Sequence, residues 1–144
     1  MKICILGSGA YGLALASRFI KNNNEVVCYS NNQNEIDGLV STRISDKLPS
    51  YNIDKRIEFT TDIKRAVSNS NLVVIAVPAK FASSVTKELS NYLTKDMHIL
   101  IATKGIENDT CLFLNDVVEK NLNTNKIAVI SGPTFAVDIV RSEE

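Results

Sequence analysis

Short apolar runs alternate with stretches of helical spacing along almost the whole of this chain. Runs that are apolar at nearly every position are typical of strands covered on both faces, as in a parallel sheet. Five such runs, mostly β-branched, recur: KICILG (2–7), EVVCYS (25–30), LVVIAVP (72–78), HILIAT (98–103) and KIAVIS (126–131). A sixth run, RIEFTT (56–61), alternates more between apolar and polar side chains and is predicted to lie nearer the sheet edge.

The stretches between these runs are predicted as helices. Apolar residues recur at helical spacing in AYGLALASRFIKNNN, Asp62 can cap a short helix over IKRAVSN, and Asp109 or Thr110 can begin CLFLNDVVEKNL. The polar stretch 32–55 is predicted to combine a short helix with a connection. Strands that alternate with helices predict right-handed βαβ units. We therefore expect one α/β domain over residues 1–144, a doubly wound, mostly parallel sheet with helices on both faces.

Composition excludes several other classes of protein. A hydrophobic fraction of 44% is ordinary for a globular domain, and 144 residues can bury a sizeable core. Sixteen Lys and Arg side chains balance sixteen Asp and Glu, so no net field attracts nucleic acid or a membrane surface. Cys4, Cys28 and Cys111 are an odd, widely spaced set, which predicts neither disulfides nor a metal site. The first apolar run is too short for a signal-peptide core, so we expect a cytoplasmic protein.

Gly7, Gly9 and Gly12 match the pattern G-x-G-x-x-G between the first predicted strand and the first predicted helix. In this context the first glycine permits a tight turn, the second lets a pyrophosphate approach the backbone, and the third lets the helix pack closely on the strand. Unpaired N–H groups at the helix N-terminus then face the phosphates. The pattern predicts a dinucleotide site, with Ala10 and Tyr11 in the loop beneath the ligand. The alternative is a purely structural glycine turn.

The end of the second predicted strand decides which dinucleotide such a site prefers. An Asp or Glu there binds the ribose 2′-hydroxyl of NAD, and an Arg accommodates the 2′-phosphate of NADP. This chain has Ser30, Asn31 and Asn32 instead. Their side chains can hydrogen-bond either group, so the choice between NAD and NADP stays open. The alternative that the asparagines only form a turn stays open as well.

Three further strand ends carry candidate residues, because ligands of doubly wound sheets lie at the carboxyl ends of the strands. Residues 77–78, Val-Pro, end one strand and open a loop that could line the ligand. Lys104 follows another strand, where its charge could bind a phosphate or polarise a carbonyl oxygen. Gly132 and Thr134 follow the last and could surround an oxygen-rich ligand. The plainer alternatives are a strand-ending proline, a solvated lysine and an ordinary Gly-Pro turn.

Five motifs follow one another along the chain: GSGAYGLALA, IEFTTDIKRAV, VVIAVPAKF, ATKGIEN and SGPTFAVDI. In this order they resemble the N-terminal domain of NAD(P)-dependent glycerol-3-phosphate dehydrogenase, and the pair TKGIE and SGPTFA is the most specific part. The resemblance implies reversible reduction of dihydroxyacetone phosphate by NADH or NADPH to sn-glycerol 3-phosphate, which feeds phospholipid synthesis. It implies small-molecule partners, without nucleic acid or membrane insertion, and leaves a homodimer open for the intact enzyme.

The resemblance also assigns roles to single residues. Beside the glycines, it implies cofactor contacts at Ala10, Tyr11, Asn31, Asn32 and Ala136. It implies substrate contacts at Gly132 and Thr134, and contacts to both cofactor and substrate at Lys104, the one catalytic candidate in this chain. Two departures matter: Ala10-Tyr11 replaces the common Ser-Trp, and asparagine replaces the common basic residue after the second strand, which weakens any argument for NADP.

In the family that the chain resembles, an all-helical domain follows SGPTFA and carries the proposed proton-transfer lysine. We therefore expect residue 144 to lie at a domain boundary and the isolated chain to be catalytically inactive. Two alternatives stay open. One is another two-domain dehydrogenase of the 6-phosphogluconate or ketopantoate type, and the other is a freestanding dinucleotide-binding module without catalysis.

Overall fold

Strands and helices alternate throughout the computed structural model, which describes residues 1–49, 51–107 and 110–141. Within those ranges the six strands and six helices are, in chain order, β1 Lys2–Leu6, α1 Ala10–Lys21, β2 Glu25–Tyr29, α2 Gln33–Thr42, β3 Glu58–Thr60, α3 Ile63–Val67, β4 Leu72–Ile75, α4 Ala79–Leu89, β5 His98–Ile101, α5 Leu114–Leu122, β6 Ile127–Val129 and α6 Ala136–Arg141. Every apolar run singled out in the sequence contains a strand. None of the helices in the described ranges has the length and apolarity needed to cross a bilayer.

The six strands form one sheet in the order β3-β2-β1-β4-β5-β6, and every neighbouring pair is parallel. The chain first builds outward from β1 to β3 and then crosses to the other side of β1 to build β4, β5 and β6. This reversal leaves a crevice at the carboxyl ends of β1 and β4. The predicted doubly wound fold is confirmed, and so is the edge position of the strand within RIEFTT.

The core lies on both faces of the sheet, because successive side chains of a strand point in opposite directions. From β1, Ile3 and Ile5 pack among residues of α1, α2 and α6, whereas Cys4 and Leu6 pack among residues of α3, α4 and α5. All four side chains are fully buried. Two-sided burial explains why the four inner strands read as near-continuous apolar runs, and the predicted helices on both faces are confirmed. The prediction of two-sided burial is wrong for KIAVIS, because β6 lies at the other edge of the sheet with Ala128 and Val129 exposed.

The turn between β1 and α1 is built on two backbone approaches that a side chain would block. A Cβ on Gly7, whose φ is +120°, would lie 2.6 Å from the carbonyl oxygen of Ala76. A Cβ on Gly12 would lie 2.2 Å from the carbonyl oxygen of Gly7. Both distances are far inside van der Waals contact. Glycine at these positions is therefore what allows α1 to begin directly against the end of β1.

The start of α1 differs from the prediction. Ala10 and Tyr11 form the first turn of the helix rather than a loop, because Gly9 already serves as the N-cap residue. Their backbone N–H groups thus occupy the first helical positions, where an α-helix leaves its amides without intrahelical partners.

The start of α5 differs as well. The helix begins at Leu114 rather than at Thr110, although Thr110 is a suitable capping residue. An antiparallel bridge between Ile106 and Phe113 holds the preceding segment in a different conformation and delays the helix. The other predicted start, Asp109, lies outside the described residues.

Replacing Gly12 with Ala should destabilise the fold, because the new methyl group would press against the backbone of Gly7. We expect the free energy of unfolding to fall by about 1–3 kcal/mol, the usual cost of overpacking. Gly38→Ala in α2 is the matched control, since a Cβ there would meet no described atom within 4 Å. That substitution should stabilise the helix by about 0.5–1 kcal/mol. Urea denaturation measures both, and equal effects would contradict the steric account.

The three thiols should differ sharply in reactivity. Burial raises the pKa of Cys4 to about 12, with the charge of Lys2 opposing the shift, and burial also raises the pKa of Cys28. Both thiols therefore stay protonated and enclosed near neutral pH, whereas Cys111 is exposed. We expect one thiol of the native chain to react rapidly with an aromatic disulfide reagent, and all three in denaturant. Rapid labelling of all three in the native chain would contradict the burial of β1 and β2.

Candidate functional site

Two cavities lie at the carboxyl ends of the strands and meet at the glycine turn. The β2 cavity, of about 440 Å³, is lined by the turn, by Tyr29 to Asn32 at the end of β2, by Glu35 and Lys47, and by α4 residues that include Phe81. The β5 cavity, of about 390 Å³, is lined by the start of α1, by residues 102–104 after β5, and by residues 134–136. Both volumes lie in the range of small-molecule sites.

The two cavities form one crevice, because four residues line both of them: Gly9, Ala76, Val77 and Pro78. These residues come from the turn after β1 and the turn after β4, the two strands at which the sheet order reverses. The predicted contribution of residues 77–78 to the lining agrees with this position. A long ligand could extend from the end of β2 to the end of β5 and pass Gly9 at its middle.

Gly9 leaves open space at the centre of the crevice. A Cβ there would meet no described atom within 4 Å, in contrast to Gly7 and Gly12. Helix α1 begins at the next residue and has no acidic side chain in its first turn. Because a helix N-terminus carries partial positive charge and unpaired N–H groups, this point favours an anionic group. The amide of Gly7, by contrast, already donates to the carbonyl oxygen of Tyr29 at 2.9 Å.

The end of β2 is arranged by hydrogen bonds among polar side chains. The Asn32 side chain caps α2 by accepting from the backbone N–H of Glu35 at 3.2 Å. The Ser30 hydroxyl accepts from the backbone N–H of Asn32 at 3.3 Å and donates to Glu35 Oε2 at 3.3 Å. Asn31 is exposed and lines the cavity. Asn32 therefore forms the turn and also lies at the cavity wall, so the two interpretations of this residue are compatible.

Lys104 and Thr134, which follow different strands, lie together in the β5 cavity with Tyr11. The Nζ of Lys104 donates to the carbonyl oxygens of Gly132 at 2.9 Å and Thr134 at 3.4 Å. It also lies 5.6 Å from the centre of the Tyr11 ring. The hydroxyl oxygens of Tyr11 and Thr134 are 3.3 Å apart. An exposed ammonium group is thus held over an aromatic face, where it can bind a phosphate or a carbonyl oxygen.

Backbone groups in the turn after β6 are already engaged in hydrogen bonds. The N–H of Thr134 donates to the carbonyl oxygen of Gly132 at 3.0 Å, so this amide is engaged within the turn. Gly132 instead contributes its carbonyl oxygen to Lys104, and Thr134 contributes its hydroxyl to the cavity wall. Ala136 begins α6 and lines the same cavity.

Several polar residues of the crevice have no role assigned from the sequence, including Thr103, which lies within the TKGIE motif. Thr103 Oγ1 donates to the carbonyl oxygens of Ile75 at 3.1 Å and Val77 at 2.7 Å, which ties the end of β5 to the turn after β4 just before Lys104. Further examples are Glu35, Lys47, Ser84 and Glu88, which line the β2 cavity. Lys47 follows α2 by several residues, and only the course of residues 43–47 brings it to the crevice.

The arrangement as a whole suits a long, partly anionic ligand and a second, oxygen-rich one. The helix N-terminus at Gly9 can bind a diphosphate. The β2 cavity offers apolar surface from α4 beside polar groups from the end of β2, and the β5 cavity offers a cation and hydroxyl groups. Among the described residues, no three His, Cys, Asp or Glu side chains gather as metal ligands.

Comparison with known proteins gives consistent matches. The family model described as "NAD-dependent glycerol-3-phosphate dehydrogenase N-terminus" matches residues 2–143. A glycerol-3-phosphate dehydrogenase [NAD(P)+] of Thermoanaerobacter sp. (strain X514) is 34% identical over 141 residues, which are 98% of this chain and 42% of that protein. One of the same name from Halothermothrix orenii is 35% identical over 140 residues, 96% of this chain and 41% of that protein.

A solved structure agrees with these sequence matches. The crystal structure of glycerol-3-phosphate dehydrogenase from Coxiella burnetii superposes with a TM-score of 0.90 at 26% identity and covers 96% of this chain and 43% of that one. The chain therefore spans about two fifths of the length of the relatives that it matches.

Proposed function

The chain belongs to the family of N-terminal domains of NAD-dependent glycerol-3-phosphate dehydrogenase, and from this premise we propose that its crevice binds NAD or NADP. The open space at Gly9, directly before the N-terminus of α1, is the observation that carries the proposal. It lies at the junction of two cavities, where the middle of a dinucleotide would place its negatively charged pyrophosphate.

Each part of the crevice has a role in this proposal. The amides of Ala10, Tyr11 and Gly12 at the start of α1 bind the pyrophosphate. Asn31 and Asn32 lie beside the adenosine ribose in the β2 cavity. The nicotinamide half occupies the β5 cavity, next to Ala136 and Lys104. These residues fit such a ligand because the turn leaves room at Gly9, while Gly7 and Gly12 shape the turn.

We further propose that the domain takes part in reversible hydride transfer between NAD(P)H and dihydroxyacetone phosphate, giving sn-glycerol 3-phosphate for phospholipid synthesis. The cofactor supplies the hydride when it is bound. Lys104 exchanges its contact with the carbonyl oxygen of Thr134 for a substrate oxygen and stabilises the negative charge that develops there. Gly132 and Thr134 position the substrate, and the Tyr11 ring limits where the ammonium group can lie.

The domain organisation is proposed along the same lines. Residues 1–144 form the dinucleotide-binding domain, and a helical domain of a longer protein supplies the proton-transfer lysine that the resemblance implies. The coverage of about two fifths of the relatives supports this division. The isolated chain is then expected to bind the cofactor weakly and to be inactive.

A cytoplasmic location fits the buried, protonated thiols of Cys4 and Cys28. A homodimer is proposed for the longer protein.

Filling the space at Gly9 should weaken cofactor binding while leaving the fold intact. Gly9→Val places a side chain where no described atom lies within 4 Å of the Cβ, and the backbone φ of −71° suits any residue. We expect the free energy of unfolding to change by less than about 1 kcal/mol. The affinity for NADH should fall by at least about tenfold, because the side chain overlaps the ligand. Isothermal titration calorimetry measures the affinity, and unchanged binding would contradict the placement of the pyrophosphate.

Lys104 is tested in the longer protein, because the isolated chain is expected to be inactive. Lys104→Ala should lower kcat/KM for dihydroxyacetone phosphate by about 10²–10³-fold, the usual effect of losing one group that stabilises an oxyanion. Lys80→Ala, at an exposed lysine of α4, is the matched control and should leave kcat/KM unchanged. An unchanged kcat/KM for Lys104→Ala would show that the assigned role is wrong.

A further inference from the structure

Glu35 and Lys47 form an ion pair on the wall of the β2 cavity, and we propose that this pair sets the preference of the site for NAD(H) over NADP(H). In this proposal the carboxylate of Glu35 accepts a hydrogen bond from the ribose 2′-hydroxyl and repels a 2′-phosphate. The positive charge of Lys47 weakens this repulsion. The inference rests on the proposed cofactor function, and it assigns the choice between the two cofactors to residues that no sequence motif indicated.

Glu35 is held in place by three contacts, two at its carboxylate and one at its backbone N–H. Its Oε1 accepts from Lys47 Nζ at 2.6 Å, and its Oε2 accepts from the Ser30 hydroxyl at 3.3 Å. The backbone N–H of Glu35 donates to the side chain of Asn32, which caps α2. The Glu35 side chain is only 19% exposed, whereas that of Lys47 is 53% exposed. The carboxylate is therefore the fixed member of the pair, and the ammonium group can move away from it at smaller cost.

The Glu35 carboxylate lies beside the end of β2, where dinucleotide-binding folds recognise the ribose. In doubly wound folds an acidic side chain at the end of the second strand binds the ribose 2′-hydroxyl. The chain has no acidic residue at positions 30–32. Because the Asn32 cap starts α2 immediately after β2, the first turn of α2 brings Glu35 back to the strand end, within hydrogen-bond distance of Ser30.

The net charge of the β2 cavity also disfavours a 2′-phosphate. Among the described lining residues, Glu35 and Glu88 are negative and Lys47 is positive, which leaves a net charge of −1. A 2′-phosphate adds roughly −1.5 to −2 charges near neutral pH. Placing it beside the fixed carboxylate costs free energy that the ribose hydroxyl of NAD does not incur. Lys47 offsets part of this cost, since its ammonium group can turn from Glu35 to the phosphate.

The two members of the pair should therefore shift the preference in opposite directions. In titrations of the 144-residue chain at fixed ionic strength, we expect wild type to bind NADH more tightly than NADPH. Glu35→Gln should lower the ratio of the dissociation constant for NADPH to that for NADH by about tenfold, because it removes the repulsion and frees Lys47 for the phosphate. Lys47→Gln should raise the ratio, mainly by weakening NADPH. The fluorescence of the reduced nicotinamide, which is the same in both cofactors, reports binding.

Asp37→Asn is the matched control, since it removes one carboxylate from the exposed side of the same helix, where Asp37 accepts a hydrogen bond from Gln33. It should leave the ratio unchanged. Circular dichroism of each variant checks that α2 is intact.

The outcomes separate this inference from the proposed function. If both cofactors bind, and the ratio for Glu35→Gln equals that of wild type, the Glu35–Lys47 assignment is overturned while cofactor binding stands. A wild-type preference for NADPH overturns it in the same way. If the folded wild-type chain binds neither cofactor, the proposed function and this inference fail together.

Discussion

The approach of the first turn of α1 to the backbone of Gly7 is the contact on which the crevice depends. With hydrogen in place of a side chain at Gly12, the helix begins within van der Waals distance of the turn that ends β1. Its first amides then open beside Gly9, at the point where the sheet order reverses. A side chain at Gly12 would push the helix away from this turn, so the same contact sets both the packing of α1 and the position of its N-terminus at the crevice.

The three glycines of the turn have different structural roles. Gly7 and Gly12 have no room for a side chain, and substitutions there act on the fold. Gly9 has room, and a side chain there would occupy the space that we propose for the pyrophosphate. The two ends of the crevice differ as well. A partly buried carboxylate of Glu35 faces the β2 cavity, whereas the exposed ammonium group of Lys104 faces the β5 cavity. A dinucleotide has matching asymmetry, with a ribose hydroxyl at one end and the reacting carbon, beside an oxygen-rich substrate, at the other.

Much of the fold could be predicted because burial on both faces of the sheet leaves a direct trace in the sequence. All six strands lie within the predicted runs, and the glycine pattern identified the turn at the centre of the site. The rule that ligands lie at the carboxyl ends of strands singled out Lys104 and Thr134, which the structure brings together through Tyr11. The resemblance to glycerol-3-phosphate dehydrogenase, stated on five motifs, is confirmed by the family match.

The residues that the sequence did not indicate owe their position to long-range geometry. Lys47 reaches Glu35 through a connection without periodicity, so no spacing rule relates the two. Thr103 lies within the TKGIE motif, but its hydrogen bonds to the carbonyl oxygens of Ile75 and Val77 follow only from the folded chain. The start of α5 was predicted too early because a bridge between Ile106 and Phe113 outweighs the local capping preference. Local patterns located the strand ends, but the partners across the crevice follow only from the folded chain.

The most direct test of cofactor binding at the start of α1 is a titration of the ¹⁵N-labelled chain with NADH, followed by amide resonances. The amides of Ala10, Tyr11 and Gly12 should shift most strongly, together with Gly9, while those of β3 and α5 stay in place. Shifts confined to residues away from this turn, or no shifts at all up to millimolar NADH, would contradict the account.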